Sequence, residues 1–476
     1  MKQIDSLISE IEEFCHTNDV AESTFGRLAV NDGKFVARLR AGKGVTIRTV
    51  EKVRNFIFHH IDKQSGREKR INNLGSYKLH KNKHIQPKNS PELGNIANKQ
   101  DSSGTFRFYD NRQKYLMFVN TCSEKWAVAD RVGQELSHIT PNPPALRIFD
   151  AGMGDGTVLT SVMRNMHLRF STLPFYIVGK EISLEDVRLT LEKMPDRFFE
   201  HPATVLVVTN LYYTEAPKLM PLQQKVQKKL TWTEVALEGN TSYEFHEQIN
   251  NLEGILAKNW EVKPSKVTGN PLYVRPSVLV LYRSDHKFIL DQVLPTRGQS
   301  FSDYDLIIAS QPYRARMPVE FKVQKVIAPL ADALAPGGRL VGIHSYGNDP
   351  GLEIIRGVWS RENPFITNRH DIMRELKREI GKNTKELNFN VFSDNRSLFR
   401  YEMHTLPEEV SVKSIGTSTL LAAWNAAIYV AQIEDQRLEE VIQDGSYLEV
   451  TREVLHKHSG LWFNDESYVI SRRRRK

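Results

Sequence analysis

The stretch LRIFDAGMGDGTVLTSVMRNM, residues 146–166, decides the fold of this chain. A mostly apolar run at 146–149 leads directly into the loop DAGMGDG at 150–156, and a helical pattern follows from 157. A glycine turn between a strand and a helix lets a ligand approach the backbone closely. Open α/β sheets bind their ligands at the carboxyl ends of the strands. The stretch therefore predicts an α/β fold with a ligand site at this loop.

Four further apolar runs downstream also predict strands buried on both faces. They are FYIVGKE (175–181), TVLVVTN (204–210), DLIIASQ (305–311) and RLVGIHS (339–345). Helical patterns separate these runs, which implies crossover connections and a largely parallel sheet.

The spacing of the glycines distinguishes between classes of cofactor. A dinucleotide site has the pattern G-x-G-x-x-G, which places a pyrophosphate at a helix N-terminus. Here the pattern is G-x-G-x-G, with Asp150 before it and Asp155 inside it. These carboxylates would repel a pyrophosphate and attract a ligand that carries an ammonium and a sulfonium group. A nicotinamide-linked oxidoreductase is therefore disfavoured.

The loop DAGMGDG resembles the first motif of the class I S-adenosylmethionine-dependent methyltransferase family. The resemblance implies a Rossmann-like, doubly wound α/β domain at 106–471, with a mostly parallel seven-stranded sheet and S-adenosyl-L-methionine as cofactor. It implies that Glu181 binds the ribose hydroxyls, that Asn210 lies near the adenine, and that an aromatic segment with Tyr109 and Tyr115 closes over the cofactor. The implied cofactor-binding residues are Asp150, Gly152, Gly154, Asp155, Gly156, Glu181, Asn210 and Tyr109.

A second resemblance concerns the methyl acceptor. The run Ser310-Gln311-Pro312-Tyr313 is similar to the motif of amino-group methyltransferases, in which polar groups accept hydrogen bonds from the target N–H and an aromatic ring stacks on the acceptor. The alternative is that this run only forms the turn after the strand. His344 ends the next strand and is a candidate base near neutral pH, although a hydrogen-bonded structural role is also open.

One departure from the family pattern lies between the third and fourth strands. Residues 218–300 form an insertion, in which 231–245 and 276–295 predict two hairpins. The insertion is expected near the carboxyl edge of the sheet, where it either shapes the substrate pocket or forms an oligomer contact.

Residues 1–60 form a separate helical module. Two short helices joined by Asn31-Asp32-Gly33 resemble the helix-turn-helix of phage-repressor-like DNA-binding domains. That resemblance implies that Lys34, Arg38 and Arg40 face DNA. The alternative is a docking or dimerisation module.

Charge and composition give the remaining expectations. The net charge is +8, and the positive charge is concentrated in a predicted flexible linker, 61–105, and a basic tail, 472–476. Two cysteines provide neither a disulfide framework nor a Cys-based zinc site. Without a signal peptide or a membrane span, the expected location is the cytoplasm.

The sequence predicts an S-adenosylmethionine-dependent methyltransferase, for which the SQPY resemblance implies an amino group as one candidate target. The acceptor can be a small molecule, a protein or a nucleic acid. The alternative is a DNA-binding regulator whose methyltransferase-like domain senses a cofactor or metabolite.

Overall fold

The computed structural model describes most of the chain from residue 112 onward and part of the N-terminal region. The described ranges are 112–265, 271–298, 302–381, 386–405, 415–443 and 445–474, with residue 410 and residues 7, 8, 11, 12, 14, 15, 20–30, 32–41, 49, 53 and 56. The chain divides into two compact units, Met1–Asn98 and Lys99–Lys476. The predicted linker and Tyr109 lie outside the described residues, so the domain boundaries stay predictions.

The N-terminal unit contains two short described helices, α1 (Glu22–Val30) and α2 (Phe35–Arg40). The rings of Phe14, Phe25 and Phe56 pack edge to face, with centroids 5.4–5.9 Å apart. They belong to a small apolar core that buries leucine, isoleucine and valine side chains as well.

The larger unit is built on one sheet. Its strands are β1 (Leu146–Asp150), β2 (Phe175–Lys180), β3 (Thr204–Thr209), β4 (Thr231–Leu237), β7 (Ser277–Arg283), β8 (Tyr304–Ser310), β9 (Leu334–Ser345), β10 (Leu387–Asn390), β11 (Leu398–Glu402) and β12 (Trp462–Arg472), while β5 (Val262–Pro264) and β6 (Pro271–Tyr273) form a separate pair. The strand order is β10-β12-β9-β8-β1-β2-β3-β7-β4, and β11 pairs with β12.

The five strands predicted from the apolar runs are confirmed as the centre of this sheet. β3, β2, β1, β8 and β9 are neighbours and all run parallel. β1 and β3 are buried along their whole length, because apolar layers cover both faces of the sheet. The connections lead away from β1 in opposite directions, so the glycine loop lies at the point where the strand order switches.

The prediction of seven strands is wrong, because the sheet already has ten strands within the described residues. Two of the extra strands come from the insertion: β7 pairs antiparallel with β3, and β4 pairs parallel with β7. Neither predicted hairpin forms. β7 is buried at every position, so it needs a covered place beside β3, and the chain after it turns into the short helix Lys287–Leu290. The insertion therefore widens the sheet at its β3 edge.

β12 is an interior strand on the side of the sheet opposite the insertion. It pairs antiparallel with β9 along one edge and with β11 and β10 along the other. Residues 473 and 474 of the predicted basic tail follow it directly, and the side chains of Arg473 and Arg474 bond to Asn388 and Thr140.

Helices cover both faces of the sheet. They are α3 (Arg112–Thr121), α4 (Glu124–Glu135), α5 (Thr157–Arg169), α6 (Leu184–Glu192), α7 (Met194–Glu200), α8 (Gln224–Gln227), α9 (Ser242–Asn250), α10 (Glu253–Asn259), α11 (Lys287–Leu290), α12 (Val319–Lys322), α13 (Ala328–Asp332), α14 (Pro350–Val358), α15 (Arg369–Ile380), α16 (Asp394–Ser397), α17 (Thr417–Val430), α18 (Asp435–Ile442) and α19 (Ser446–His458). Within the described ranges, none of the helices has the length and apolar character needed to cross a membrane.

Candidate functional site

The glycine loop joins the carboxyl end of β1 to the start of α5, and its glycines serve different purposes. Gly154 and Gly156 have φ values of +51° and +77°, a region that side chains with a Cβ rarely adopt. A Cβ on Gly156 would come within 3.0 Å of Thr190. A Cβ on Gly152, by contrast, would meet no atom within 4 Å, because this residue faces open space. Gly152 therefore marks the open side of the loop.

Asp150 lies at the base of this loop. The residue is 2% exposed, and its carboxyl group accepts a 3.2 Å hydrogen bond from the Gly152 N–H. Burial, together with the charge of Glu181, raises the pKa of Asp150 to about 7. Among the described residues, no ion pair reaches Asp150. A cationic ligand in the loop would stabilise its ionised form.

Glu181 follows β2 and binds the loop from the neighbouring strand. Its carboxylate accepts hydrogen bonds from the N–H groups of Gly154 (3.1 Å), Ile182 (2.7 Å) and Ser183 (2.9 Å). Trp260 fixes the position of Glu181 by donating an indole hydrogen bond of 2.8 Å to its carbonyl oxygen. A carboxylate has about four acceptor sites, so the Glu181 side chain can still accept a hydrogen bond from a ligand hydroxyl.

Asp155 anchors the far end of the loop. It accepts hydrogen bonds from Lys193 at 2.8 Å and from Thr157. Burial opposes ionisation of this carboxyl, but these hydrogen bonds lower the pKa of Asp155 below its ordinary value. Asp155 is therefore a charged structural residue that already has a cationic partner, unlike Asp150.

An aromatic side chain from α3 lies over the loop. The Tyr115 hydroxyl donates a 3.3 Å hydrogen bond to Asp155, and the same hydroxyl would lie 3.3 Å from a Cβ on Gly154. Helix α17 holds this helix in place, because Tyr429 packs against Tyr115 at 5.9 Å and Asn425 bonds to the Lys114 carbonyl at 3.0 Å. Tyr115 thus lies beside the glycine loop, and closure of its aromatic segment over a cofactor stays a prediction.

Lys125 on α4 is the cation shared by the carboxylates of this region. Its ammonium group pairs with Glu124 at 3.0 Å and lies 5.6 Å from the centre of the Tyr115 ring. Burial opposes its charge, but the neighbouring carboxylates raise the pKa of Lys125 above its ordinary value. Lys125 also favours ionisation of Asp150 and Asp465. A ligand carboxylate and a ligand ammonium would both find an opposite charge here.

Asn210 links the predicted sheet to the insertion, and its predicted contact with the adenine stays a prediction. It is fully buried, and its amide group donates to the carbonyls of Asn259 (3.0 Å) and Arg275 (2.9 Å) and accepts from the Ser277 N–H (2.9 Å). These bonds tie β3 to the start of β7. Asn210 is a structural link between the predicted sheet and the insertion.

Gln311 shapes the end of β8. Its φ is +47°, an uncommon value for a residue with a side chain. The backbone N–H donates to the Ile343 carbonyl at 2.9 Å, and the side-chain amide donates to the Ser345 hydroxyl at 3.0 Å. The same amide lies 3.5 Å from both carboxyl oxygens of Asp465. Three neighbouring strand ends, those of β8, β9 and β12, thus converge in one polar cluster.

Tyr313 and His344 lie together, but both point inward. The Tyr313 hydroxyl is 2.7 Å from His344 Nδ1 and 3.2 Å from the Tyr468 hydroxyl. His344 Nε2 is 2.8 Å from Glu466, which Arg369 pairs with at 3.0 Å. Both ring nitrogens of His344 therefore have protein partners. Both side chains are thus buried and bonded to protein groups, and their roles toward an acceptor stay predictions.

The sequence missed several residues of this site. The sequence analysis did not identify four of them, because they lie outside both the glycine loop and the Ser310–Tyr313 run: Lys125, Lys193, Trp260 and Asp465. A signal was present for Asp465, because Asp465 and Glu466 interrupt the strand-like run FNDESYVIS. Acidic residues are rarely buried in a strand unless they are paired or functional.

Two of the three residues predicted to face DNA, Arg38 and Arg40, pair with carboxylates in the N-terminal unit. Arg40 pairs with Glu12 at 2.6 Å and also with Glu22, and Arg38 pairs with Asp32. Lys34 is exposed. Two described helices with paired arginines give no support to the helix-turn-helix resemblance, and DNA binding stays a prediction.

No protein-family model matches the chain, and no curated protein matches it. Among solved structures, loganic acid methyltransferase with SAH is 11% identical, covers 79% of this chain and 98% of its own, and has a TM-score of 0.30. Geranyl diphosphate methyltransferase with GPP and sinefungin is 11% identical, covers 72% and 76%, and has a TM-score of 0.24. The cyclase SpnF is 9% identical, covers 73% and 82%, and has a TM-score of 0.28. At these TM-scores the similarity carries no argument, and the fold rests on the strand order described above.

Proposed function

We propose that this chain is an S-adenosyl-L-methionine-dependent methyltransferase whose catalytic domain spans 106–471. The observation that carries the proposal is the glycine loop at the switch point of the sheet. The loop combines an open face at Gly152 with a buried carboxyl group, Asp150, and with Glu181 from the adjacent strand.

The residues present fit this cofactor. The space beside Gly152 accommodates its methionine part, Asp150 balances the ammonium group, and Lys125 balances the carboxylate. Glu181 has an acceptor site left for a ribose hydroxyl, and a second ribose bond requires release of the Gly154 N–H. When bound, the cofactor supplies an electrophilic methyl group on a sulfonium. The protein's own contribution is alignment and exclusion of water.

The acceptor that we propose is an amine with an N–H to lose. The resemblance of the SQPY run supports an amino acceptor, and the polar cluster of Gln311, Ser345 and Asp465 offers it hydrogen-bond partners. The Tyr313 side chain points inward and contacts His344. This position gives no support for stacking of its ring on an acceptor, so the proposed amine need not be planar.

The proposal is tested in two stages with the full chain. Calorimetry with S-adenosylhomocysteine should give binding, and a hundredfold excess over the dissociation constant should stabilise the fold by about 2.7 kcal/mol. NAD is the control and should not bind. The chain is then incubated with methyl-labelled cofactor and fractionated metabolites, proteins or nucleic acids to identify the labelled fraction. Tight NAD binding with no response to S-adenosylhomocysteine would contradict the proposal.

A further inference from the structure

The polar cluster at the ends of β8, β9 and β12 contains a carboxyl group that the proposed cofactor site does not use. Asp465 is 0% exposed, and its partner in the strand register is Ser345. The Ser345 hydroxyl donates a hydrogen bond to Asp465 and accepts one from the Gln311 amide at 3.0 Å. The cluster is thus a chain of hydrogen bonds that runs from a half-buried amide to a buried carboxyl.

This chain of hydrogen bonds begins at the proposed acceptor position. Gln311 and Ser345 are only partly buried, and both follow the carboxyl edge of the sheet beside the glycine loop. The left-handed backbone of Gln311, with φ of +47°, directs its amide toward Ser345. Strain of this kind persists where the surrounding structure requires it, often at active sites.

The charges around Asp465 determine when it is ionised. Glu124 and Lys125 face it from α4, Asp349 from the loop before α14, and Tyr401 from β11. Burial raises the pKa of Asp465 well above its ordinary value, the two carboxylates raise it further, and Ser345 and Lys125 oppose them. These surroundings favour the neutral carboxyl of Asp465, and a further positive charge nearby would favour its ionised form.

We propose that Asp465, acting through Ser345, takes up the proton that the acceptor amine loses. The inference rests on the proposed function. The new C–N bond forms as the C–S bond breaks, with the electron pair of the C–S bond remaining on sulfur. The amine proton moves to the Ser345 oxygen while the Ser345 proton moves to the Asp465 carboxylate, so the carboxylate becomes neutral. Asp465 is a positioning residue for the proton, and the sulfonium charge keeps it ionised until transfer.

The test measures protons and needs no acceptor. The full chain is titrated with S-adenosylmethionine and with S-adenosylhomocysteine in two buffers of different protonation enthalpy. Both ligands carry the same ammonium and carboxylate groups, so the response of Asp150 to the ammonium cancels in the difference. The sulfonium ligand should release more protons than the thioether, by up to about one proton per site.

Three single substitutions identify the group that releases this proton. Asp465→Asn should abolish the difference between the two ligands. Asp349→Asn is the matched control, since it removes a carboxylate of the same cluster and asparagine still caps α14; it should keep the difference and move it to lower pH. If Asp465→Asn fails to fold, Ser345→Ala gives the answer, because loss of its hydrogen bond should move the release to higher pH.

The outcomes are distinguishable. Binding of neither ligand overturns the proposed function and the inference with it. Binding of both ligands with equal proton release overturns the inference alone. A difference that survives in Asp465→Asn, or a release profile unchanged in Ser345→Ala, also overturns it, because the proton would then come from another group.

Discussion

The open face of Gly152 and the strained backbone of Gly156 allow a paired experiment on the glycine loop. Gly152→Ala adds a methyl group where no protein atom lies within 4 Å, and Gly156→Ala adds one within 3.0 Å of Thr190 at a φ of +77°. The first substitution should damage ligand binding without damaging the fold. The second should damage the fold.

The magnitudes follow from the backbone and the contacts. Alanine at Gly156 costs about 1–2 kcal/mol for the left-handed conformation. Displacing Thr190 also weakens its 2.8 Å hydrogen bond to the Gly154 carbonyl, which adds about 1 kcal/mol. Because the unfolding entropy is about 2.1 cal/mol/K per residue and the larger unit spans Lys99–Lys476, the melting temperature should fall by about 2–4 °C. Gly152 has no positive φ, so alanine there should leave the melting temperature unchanged or raise stability by about 0.4–1 kcal/mol through the unfolded state.

The assay combines thermal unfolding with calorimetric titration of S-adenosylhomocysteine. Gly152→Ala should weaken binding at least about tenfold, or 1.4 kcal/mol, because the added methyl group occupies the proposed methionine space. Wild-type affinity in Gly152→Ala would refute the claim that the ligand contacts this face of the loop. An unchanged melting temperature in Gly156→Ala would refute the backbone argument.

Three further predictions concern single carboxyl and amide groups. Glu181→Gln should lower the affinity for S-adenosylhomocysteine about tenfold in calorimetry, because an amide nitrogen replaces one acceptor oxygen that the Gly154 N–H and the ribose need; unchanged affinity would remove Glu181 from the site. Burial raises the pKa of Asp150 to about 7 in the free protein. Affinity for S-adenosylmethionine should therefore fall about tenfold per pH unit below that value, because the carboxyl becomes protonated. A flat affinity profile between pH 5 and 8 would contradict this prediction, and Asp150→Asn is the control. Asn210→Ala should cost about 2–4 kcal/mol of unfolding free energy, because three buried backbone groups lose their partner, while the remaining folded protein keeps its ligand affinity; a loss of affinity without a loss of stability would support the predicted adenine contact.

The central part of the fold was predictable from the sequence because strands that are buried on both faces have a mostly apolar composition. Strands such as 146–149 and 204–209 are covered on both faces and therefore consist mostly of apolar residues. The glycine loop was predictable for a related reason, since the left-handed backbone at Gly154 and Gly156 favours glycine.

The remainder depends on contacts between residues that are distant in sequence. β7 has the composition of a buried strand, but the local sequence does not show that it pairs with β3. The same holds for Asn210, whose partners lie 49 to 67 residues away. Asp465 and Ser345 are register partners 120 residues apart along the chain, so their hydrogen bond became visible only in the folded sheet.

The central position of β12 has a consequence for biosynthesis. A polypeptide emerges from the ribosome N-terminus first, so every other strand of the sheet is made before residues 462–472. Until then, β9, β10 and β11 lack the strand that joins them, and the loop side of β9 lacks Asp465. The nascent chain can assemble the glycine loop between β1 and β2 early, but the proposed acceptor side is completed only when β12 emerges. A chain that stops shortly before residue 462 therefore has the glycine loop but lacks the β12 side of the polar cluster.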